Sequence, residues 1–311
     1  MKRVLVILVT HNGMHWLPRC IASVASPSVV SGSFSVPPTA KTAQNAVSGT
    51  DNVPPTAVKT DLYVVDNDST DGSADYVQAN CPGVKLIRSA ENLGFTLANN
   101  LGFDYAMAKG YDYVYLLNQD AWLEEGAIDK LVAAAEAHPE YAVLSPLQMT
   151  DGYKEYDNQF AKLVKVQEGP EPYAVKRVMA AHWLMRVEAV KPVGKFSELF
   201  PYYGQDDDWC NRAKYHGWKI GIVPQARAVH DRARRKESKD RIIDRNYRVG
   251  SLVRLCDINR PLWERFLYVI LFTTVKTIKY FSFKPLKHFF AICRQIPAIR
   301  QIRRSSRRMT E

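Results

Sequence analysis

The feature that most limits the fold is the alternation of short apolar runs, rich in β-branched residues, with longer stretches of helical periodicity. The apolar runs occupy residues 4–9, 62–65, 84–87, 113–117 and 142–144. This order predicts an α/β fold with a mainly parallel sheet covered by helices. Ligands of such a fold bind at the carboxyl ends of its strands.

Residues 27–60 break this alternation. They are rich in Ser, Thr, Pro, Ala and Val, and the sequence VPPTA that starts at Val36 recurs at Val53. Few large apolar side chains are available to offset the entropy of ordering the segment. We therefore predict a low-complexity, mobile surface insertion, with an active-site lid as the alternative reading.

The net charge of +10 is concentrated near the C-terminus. No Asp or Glu lies between Lys276 and Arg308, whereas the basic residues there are Lys276, Lys279, Lys284, Lys287, Arg294, Arg300, Arg303, Arg304, Arg307 and Arg308. Without them, Lys and Arg equal the 32 Asp and Glu in number. Residues 261–311 are predicted to form a basic amphipathic helical tail on a near-neutral domain of residues 1–260.

Apolar side chains interleave with the basic residues of the tail, which suits helices lying on an anionic membrane surface. For residues 261–275, packing against the domain is an equally good interpretation. The apolar run at residues 266–275 is too short to span a bilayer, which takes about 20 residues. The apolar residues in question are Leu262, Trp263, Phe266, Leu267, Ile270, Leu271, Phe281, Phe283, Phe289 and Phe290.

The five cysteines are scattered and contain no C-x-x-C pair, which favours a reducing compartment. The apolar run at residues 4–9 is too short for a signal peptide. Together with the basic tail, these features predict a cytoplasmic protein that is peripheral on the inner face of the cell membrane.

Short polar side chains follow three of the predicted strands. Asp66 begins a turn rich in Asp, Asn and Ser, Asn92 and Gly94 follow the next strand, and Asn118-Gln119-Asp120 ends the fourth. A carboxylate at such a strand end can hold Mg²⁺ or Mn²⁺ against substrate phosphates. Helix capping and turn formation are the structural alternatives.

Three consecutive carboxylates, Asp206 to Asp208, open a predicted helix directly after Gln205. Mutual repulsion raises carboxyl pKa values, so the cluster suggests a functional site, although acids also stabilise a first helical turn. His230 follows an apolar segment and is a candidate metal ligand.

In this order the motifs resemble the family 2 glycosyltransferases, over roughly residues 4–231. The resemblance implies a GT-A fold, a Rossmann-like nucleotide-binding half joined to an acceptor-binding half. Thr10 and Asn12 would lie beside the nucleotide and Asp66 would contact uracil or thymine. Asn118 and Asp120 match the D-x-D-type motif in an Asn-first form that resembles the branch containing rhamnosyltransferases. Nucleotide-sugar binding is thus expected at Thr10, Asn12, Asp66, Asn92, Gly94, Asn118 and Asp120.

For the second half of the site, the resemblance implies that Asp206 is the catalytic base, with Gln205 in place of the family's usual Glu. Asp120 and His230 would bind Mg²⁺ or Mn²⁺. Acceptor contacts are expected from His182, Trp183, Gln205 and Asp208.

The expected activity is inverting transfer of a sugar from a UDP- or dTDP-sugar to a glycan or lipid-linked acceptor in bacterial surface polysaccharide synthesis. The partners are then the donor, the acceptor and an anionic membrane. A non-catalytic sugar- or membrane-binding protein of the same fold is the alternative. A nucleotidyltransferase ranks lower because the early Gly-rich phosphate loop is missing, and no nucleic-acid-binding module accompanies the basic charge.

Overall fold

The computed structural model describes residues 1–24, 57–232 and 239–308. Within them, one sheet contains nine strands. In chain order these are β1 (Lys2–Thr10), β2 (Val58–Asn67), β3 (Lys85–Ser89), β4 (Tyr113–Asn118), β5 (Ala121–Leu123), β6 (Tyr141–Met149), β7 (Tyr173–Val175), β8 (His182–Arg186) and β9 (Lys219–His230).

Helices connect the strands and form the C-terminal part of the described chain. They are α1 (Leu17–Ala22), α2 (Ser73–Asn80), α3 (Gly94–Ala108), α4 (Ala127–Ala137), α5 (Asn158–Leu163), α6 (Val187–Val193), α7 (Gln205–Tyr215), α8 (Lys239–Cys256), α9 (Leu262–Tyr280), α10 (Lys284–Cys293) and α11 (Ile296–Arg308). None of the helices in the described residues is both long and apolar enough to cross a bilayer.

The strand order is β3-β2-β1-β4-β8-β6-β9-β5, with β7 paired to β9. Strands β1 to β4 pair in parallel, as predicted, whereas β8 is antiparallel to both β4 and β6. The sheet is therefore mixed: β1 to β4 are parallel, β6 and β9 are also parallel to each other, and β8 lies antiparallel between β4 and β6. The chain runs outward from β1 to β3 and then returns to the other side of β1 as β4, which creates a switch point between β1 and β4.

Both faces of the sheet are covered, because β1 is apolar on both sides. Val4, Val6 and Leu8 share one apolar cluster with residues of α1, α2 and α4, and Leu5 and Ile7 share a second with residues of α3, α6 and α7. Helix α3 approaches β1 closely at Gly102, where an added Cβ would lie 2.3 Å from Ile7 Cδ1. The two apolar layers fix the carboxyl ends of β1, β2 and β4 at one edge.

All five predicted strands are present, and most are longer than predicted. Strand β2 already begins at Val58, so the last three residues of the predicted insertion, 58–60, belong to the sheet. Ala57 is also described, whereas residues 27–56 of that prediction lie outside the described residues.

The C-terminal helices form a third apolar cluster. It joins α8, α9, α10 and α11 and includes Leu255, Val269, Ile292 and Ile299, together with Phe200 from the loop before α7. One face of α9 therefore packs against the rest of the protein, which is one of the two interpretations given for residues 261–275. The helical layer begins with α8, upstream of the predicted boundary at residue 261.

Candidate functional site

The candidate site lies where β1, β2 and β4 end. Thr10 is in register with Asp66 on one side, and Val9 is in register with Asn118 on the other. This edge is the switch point of the sheet, where ligands of open α/β folds bind. The fold therefore brings together the polar residues that follow β1, β2 and β4.

Gln119, for which no role was predicted, connects the ends of β1 and β4. Its Oε1 accepts hydrogen bonds from Thr10 Oγ1 at 3.0 Å and from the His11 N–H at 2.7 Å. An added Cβ at Gly13 would lie 2.5 Å from the same Oε1. Thr10, predicted to contact the nucleotide, is fully buried and bonded to Gln119. We correct its role to holding the loop, because its hydroxyl has no exposed surface.

Asp66 presents an acceptor that the described protein leaves unused. Its Oδ2 accepts the Ser69 N–H at 3.2 Å, whereas its buried Oδ1 has no hydrogen-bond partner among the described residues. Buried polar atoms are nearly always hydrogen-bonded, so such an oxygen fits a donor supplied by a ligand. The neighbouring Asn12 is exposed at φ +50°, and its Oδ1 accepts the Thr70 N–H at 2.9 Å.

The Asn92–Gly94 turn is held by Asn67, a second residue for which no role was predicted. Asn67 Nδ2 donates to Asn92 Oδ1 at 2.9 Å, and the Leu93 N–H donates to Asn67 Oδ1 at 2.7 Å. Gly94 has φ +73°, and an added Cβ would lie 2.9 Å from the Pro201 carbonyl oxygen. The turn that begins α3 therefore contacts the loop that leads to α7.

Asp120 and His230 face each other across the short β5–β9 pairing. Ala121 is in register with His230, and the Asp231 N–H donates to the Asp120 carbonyl at 2.8 Å. The buried side chains place His230 Nε2 3.6 Å from Asp120 Oδ1. Neighbouring ligands of one octahedral Mg²⁺, each at about 2.1 Å, lie about 3 Å apart. This pair is therefore compatible with one shared divalent ion.

No group of three or more His, Cys, Asp or Glu side chains in the described residues has a metal-binding arrangement. Mg²⁺, however, commonly takes one or two protein ligands, with substrate phosphates and water as the others. Two protein ligands thus fit an ion that binds together with a diphosphate. The other ring nitrogen of His230, Nδ1, lies 3.2 Å from Arg232 Nη2.

His182, predicted to contact the acceptor, is fully buried behind His230. Its Nε2 lies 2.9 Å from the Val229 carbonyl oxygen and its Nδ1 2.9 Å from the Tyr115 hydroxyl. Because a carbonyl only accepts, Nε2 carries the hydrogen and Nδ1 accepts from Tyr115. Burial lowers the pKa of His182 to about 3, so the ring is neutral. We correct its role to supporting the end of β9.

Trp183 is also fully buried, and its ring packs against Trp209 and Phe196. A side chain without exposed surface cannot contact an acceptor. The prediction of acceptor binding for Trp183 is therefore corrected to core packing.

The three consecutive carboxylates of α7 have different partners. Asp207 pairs with Arg177 at 2.6 Å, and the buried Asp208 pairs with Arg212 at 2.9 Å. Asp208 is thereby corrected from acceptor binding to an internal ion pair. Asp206 has no basic partner among the described residues and accepts the Asp207 N–H at 2.9 Å. Burial and the charge of Asp207 raise the pKa of Asp206 to about 6.

A short peptide segment links Asp206 to the end of β4. The backbone N–H of Ala180 interacts with the Asp206 carboxylate, and the carbonyl of the next residue, Ala181, accepts the Asn118 N–H at 3.2 Å. Asp206 and the Asn118–Asp120 turn therefore flank the same segment. Gln205 is buried beside Asp206, and its Oε1 has no partner among the described residues.

Comparison with known proteins places these features in a family. The chain is 27% identical over 204 residues to N-acetylglucosaminyl-diphospho-decaprenol L-rhamnosyltransferase of Mycobacterium tuberculosis. That match covers 55% of this chain and 66% of the relative, so the chain spans just under two thirds of the relative's length.

Two solved structures share the fold. S. aureus TarS 1-349 in complex with UDP-GlcNAc matches with a TM-score of 0.55 and 16% identity, over 86% of this chain and 70% of TarS. The mannosyltransferase PcManGT of Pyrobaculum calidifontis, in complex with GDP-Man and Mn²⁺, matches with a TM-score of 0.50 and 16% identity, over 98% and 74% of the two chains. These likenesses confirm the predicted α/β, GT-A-like fold.

The assignment to a family rests on a sequence match, which is independent of the fold comparison. The model of the family "Glycosyl transferase family 2" matches residues 5–193, more than half of the chain and including the ends of β1, β2 and β4. The chain belongs to glycosyl transferase family 2, as its motifs predicted.

Proposed function

We propose that this protein is an inverting glycosyltransferase in which Asp206 is the catalytic base. One observation carries the proposal: among three consecutive carboxylates, Asp207 and Asp208 are paired with arginines, and Asp206 has no basic partner in the described part of the chain. A base must be free to take a proton, so Asp206 is the member of the cluster that suits this role.

In an inverting transfer the acceptor hydroxyl attacks the anomeric carbon from the side opposite the leaving diphosphate. Asp206 would remove the hydroxyl proton, while the backbone N–H groups of Asp207 and Ala180 keep its carboxylate oriented. A pKa of about 6 leaves Asp206 ionised at neutral pH and makes it a stronger base than an ordinary aspartate.

Asp120 and His230 would hold Mg²⁺ or Mn²⁺, which supplies positive charge for the departing diphosphate when bound. Their separation of 3.6 Å and their burial support this assignment. Asn118, the other member of the motif, leaves the site with one carboxylate fewer than a D-x-D pair.

For the donor, we propose a UDP- or dTDP-sugar. The unpartnered Oδ1 of Asp66 supports this choice, because uracil and thymine both carry an imide N–H that can donate a hydrogen bond to a carboxylate oxygen. Asn12, Asn92 and Gly94 lie on the adjoining turns and would form the walls of the nucleotide site.

For the acceptor, we propose a glycan or lipid-linked glycan of bacterial surface polysaccharide synthesis, by analogy with the substrate in the name of the mycobacterial relative. The unpartnered Gln205 Oε1 beside Asp206 supports a hydroxyl-bearing acceptor. A cytoplasmic donor and a lipid-linked acceptor would meet at the inner face of the cell membrane, which is the location that we propose.

The test is Asp206→Asn, assayed for transfer and for nucleotide binding with UDP-, dTDP- and GDP-sugars, with and without Mn²⁺. We expect transfer to fall by at least about 100-fold, because general-base catalysis contributes that much, while nucleotide binding changes little. Asp104→Asn is the matched control, because its carboxylate pairs with Lys195 on the surface and has no proposed role in transfer.

Turnover of Asp206→Asn at the wild-type rate would contradict the assignment of the base. A wild-type protein that binds a donor sugar but neither transfers nor hydrolyses it would instead support the non-catalytic alternative.

A further inference from the structure

Helix α9 exposes a continuous apolar face. Trp263 is 67% exposed and Leu271 is 64% exposed, although both are large apolar side chains. Residues three or four positions apart share one side of a helix. The residues on this outward side, here named the α9 stripe, are Trp263, Leu267, Ile270, Leu271, Thr274, Val275 and Ile278.

The α9 stripe extends over about 22 Å, at 1.5 Å per residue. Its one polar side chain is internally satisfied, because Thr274 Oγ1 donates to the Ile270 carbonyl at 3.1 Å. A face without an unsatisfied side-chain polar group can enter an apolar medium without losing hydrogen bonds to water.

Two phenylalanines continue the apolar surface beyond the end of α9. Phe281 is 97% exposed and Phe283 is 80% exposed. Phe281 also has φ +44° at the C-cap of α9, a conformation that glycine adopts more easily. Such exposure of aromatic rings is unusual for a surface in contact with water alone.

The opposite side of α9 is part of the protein core. Val269 is fully buried and Thr273 nearly so, and the Thr273 hydroxyl bonds to Tyr247 of α8. The orientation of α9 is therefore fixed by packing. Its outward face is a stable property of the fold.

Positive charge lies at the C-terminal end of this face. Lys279, Lys284 and Lys287 are exposed near the end of the α9 stripe and around the two phenylalanines. The sequence contains no Asp or Glu from Arg265 to Arg308. Basic side chains beside an apolar helical face are typical of helices that bind anionic lipid.

We propose that the α9 stripe, with Phe281 and Phe283, lies in the interface of an anionic lipid bilayer. A symmetric contact with a second copy would place two acid-free basic segments beside each other, and the charge repulsion disfavours it. A lipid surface with negative headgroups is complementary to both the apolar face and the lysines. This proposal is independent of the assignment of the catalytic base.

Point substitutions test the proposal better than truncation, because Ile292 and Ile299 of the following helices are buried in the core. The full chain is sedimented with vesicles of phosphatidylcholine alone and with vesicles that also contain phosphatidylglycerol. Leu267→Glu/Leu271→Glu is compared with Leu163→Glu, a control at an exposed leucine of α5.

We expect the wild type and Leu163→Glu to bind phosphatidylglycerol vesicles, more weakly at high salt, and the double variant to bind at least about tenfold less. Lys279→Ala/Lys284→Ala/Lys287→Ala should likewise lose at least about tenfold. Circular dichroism confirms that the variants are folded. No binding by the wild type, equal binding by the double variant, or a dimer that the double variant dissociates would overturn the proposal.

Discussion

At the scale of single residues, the state of Asp206 determines how the proposed activity depends on pH. The base is active when deprotonated, and its pKa is raised to about 6 by burial and by Asp207. We therefore expect kcat/KM to rise with pH up to about 6 and to fall by about tenfold per pH unit below it. A profile that stays flat down to pH 4 would contradict this role.

The variant Asp207→Asn tests the cause of the raised pKa of Asp206. Removing the Asp207 carboxylate removes a repulsion and leaves the positive charge of Arg177 without its partner. Both changes lower the pKa of Asp206, so the acid limb should move to lower pH. The shift is measured on the same substrate with a control variant, Asp104→Asn, whose carboxylate pairs with Lys195 on the surface.

The residues show how far the sequence could predict the site. Asp206, Asp120 and His230 could be proposed from the sequence because acids and histidines next to predicted strands and helices are candidate bases and metal ligands. The sequence did not show that Asp208 forms an ion pair with Arg212 or that Trp183 packs in the core. Residue type alone does not reveal whether a carboxylate is already paired, because that depends on the tertiary contacts.

The polar residues that hold the loops were also missed. Gln119 and Asn67 act through side-chain contacts to segments 108 and 26 residues away along the chain. The available signal was their position inside polar turns at strand ends, where amides commonly satisfy loop N–H and C=O groups.

At the scale of helices and strands, prediction succeeded where apolar runs were uninterrupted. Strands β1 and β4 carry such runs, whereas β9 contains Gly221 and Pro224 and was not recognised as one strand. The structure accommodates Pro224 by a register shift, since Val223 pairs with Pro146 and Arg227 with Leu147. A bulge of this kind is set by the neighbouring strand, so the local sequence does not predict it.

The end of α9 offers a test that separates folding from membrane binding. Phe281 has φ +44°, so Phe281→Gly should relieve backbone strain and raise the free energy of unfolding by up to about 1 kcal/mol. Because an exposed ring is lost, binding to anionic vesicles should become weaker. Urea unfolding and vesicle sedimentation measure the two effects. Stronger vesicle binding, or lower stability, would contradict the prediction.

At the scale of the whole molecule, the tail is joined to the α/β part by packing, which the sequence offered only as one of two interpretations and only for residues 261–275. The basic charge of residues 276–308 indicated an exposed surface, but charge says nothing about the apolar contacts beneath it. Gly204, the N-cap of α7, leaves room for α8, since an added Cβ would lie 2.6 Å from Val249 Cγ1. The helix carrying Asp206 therefore starts against the C-terminal helical layer.

Phe200 makes this connection testable. It is fully buried in the C-terminal cluster, and its backbone carbonyl accepts a hydrogen bond from the Thr96 hydroxyl of α3. Phe200→Ala should lower the free energy of unfolding by about 3–5 kcal/mol, because it leaves a cavity between the two parts. Phe290→Ala is the matched control at an exposed ring and should change it by less than about 0.5 kcal/mol.

The form of the unfolding transition decides between one cooperative unit and two. If the helical layer is an integral part of the fold, calorimetry of the wild type shows one transition, and Phe200→Ala moves the whole transition to lower temperature. An independently folding tail would instead give two transitions, of which the variant shifts only one. The single transition is expected, because Phe200 and Gly204 place the start of α7 and the helical layer in the same apolar cluster.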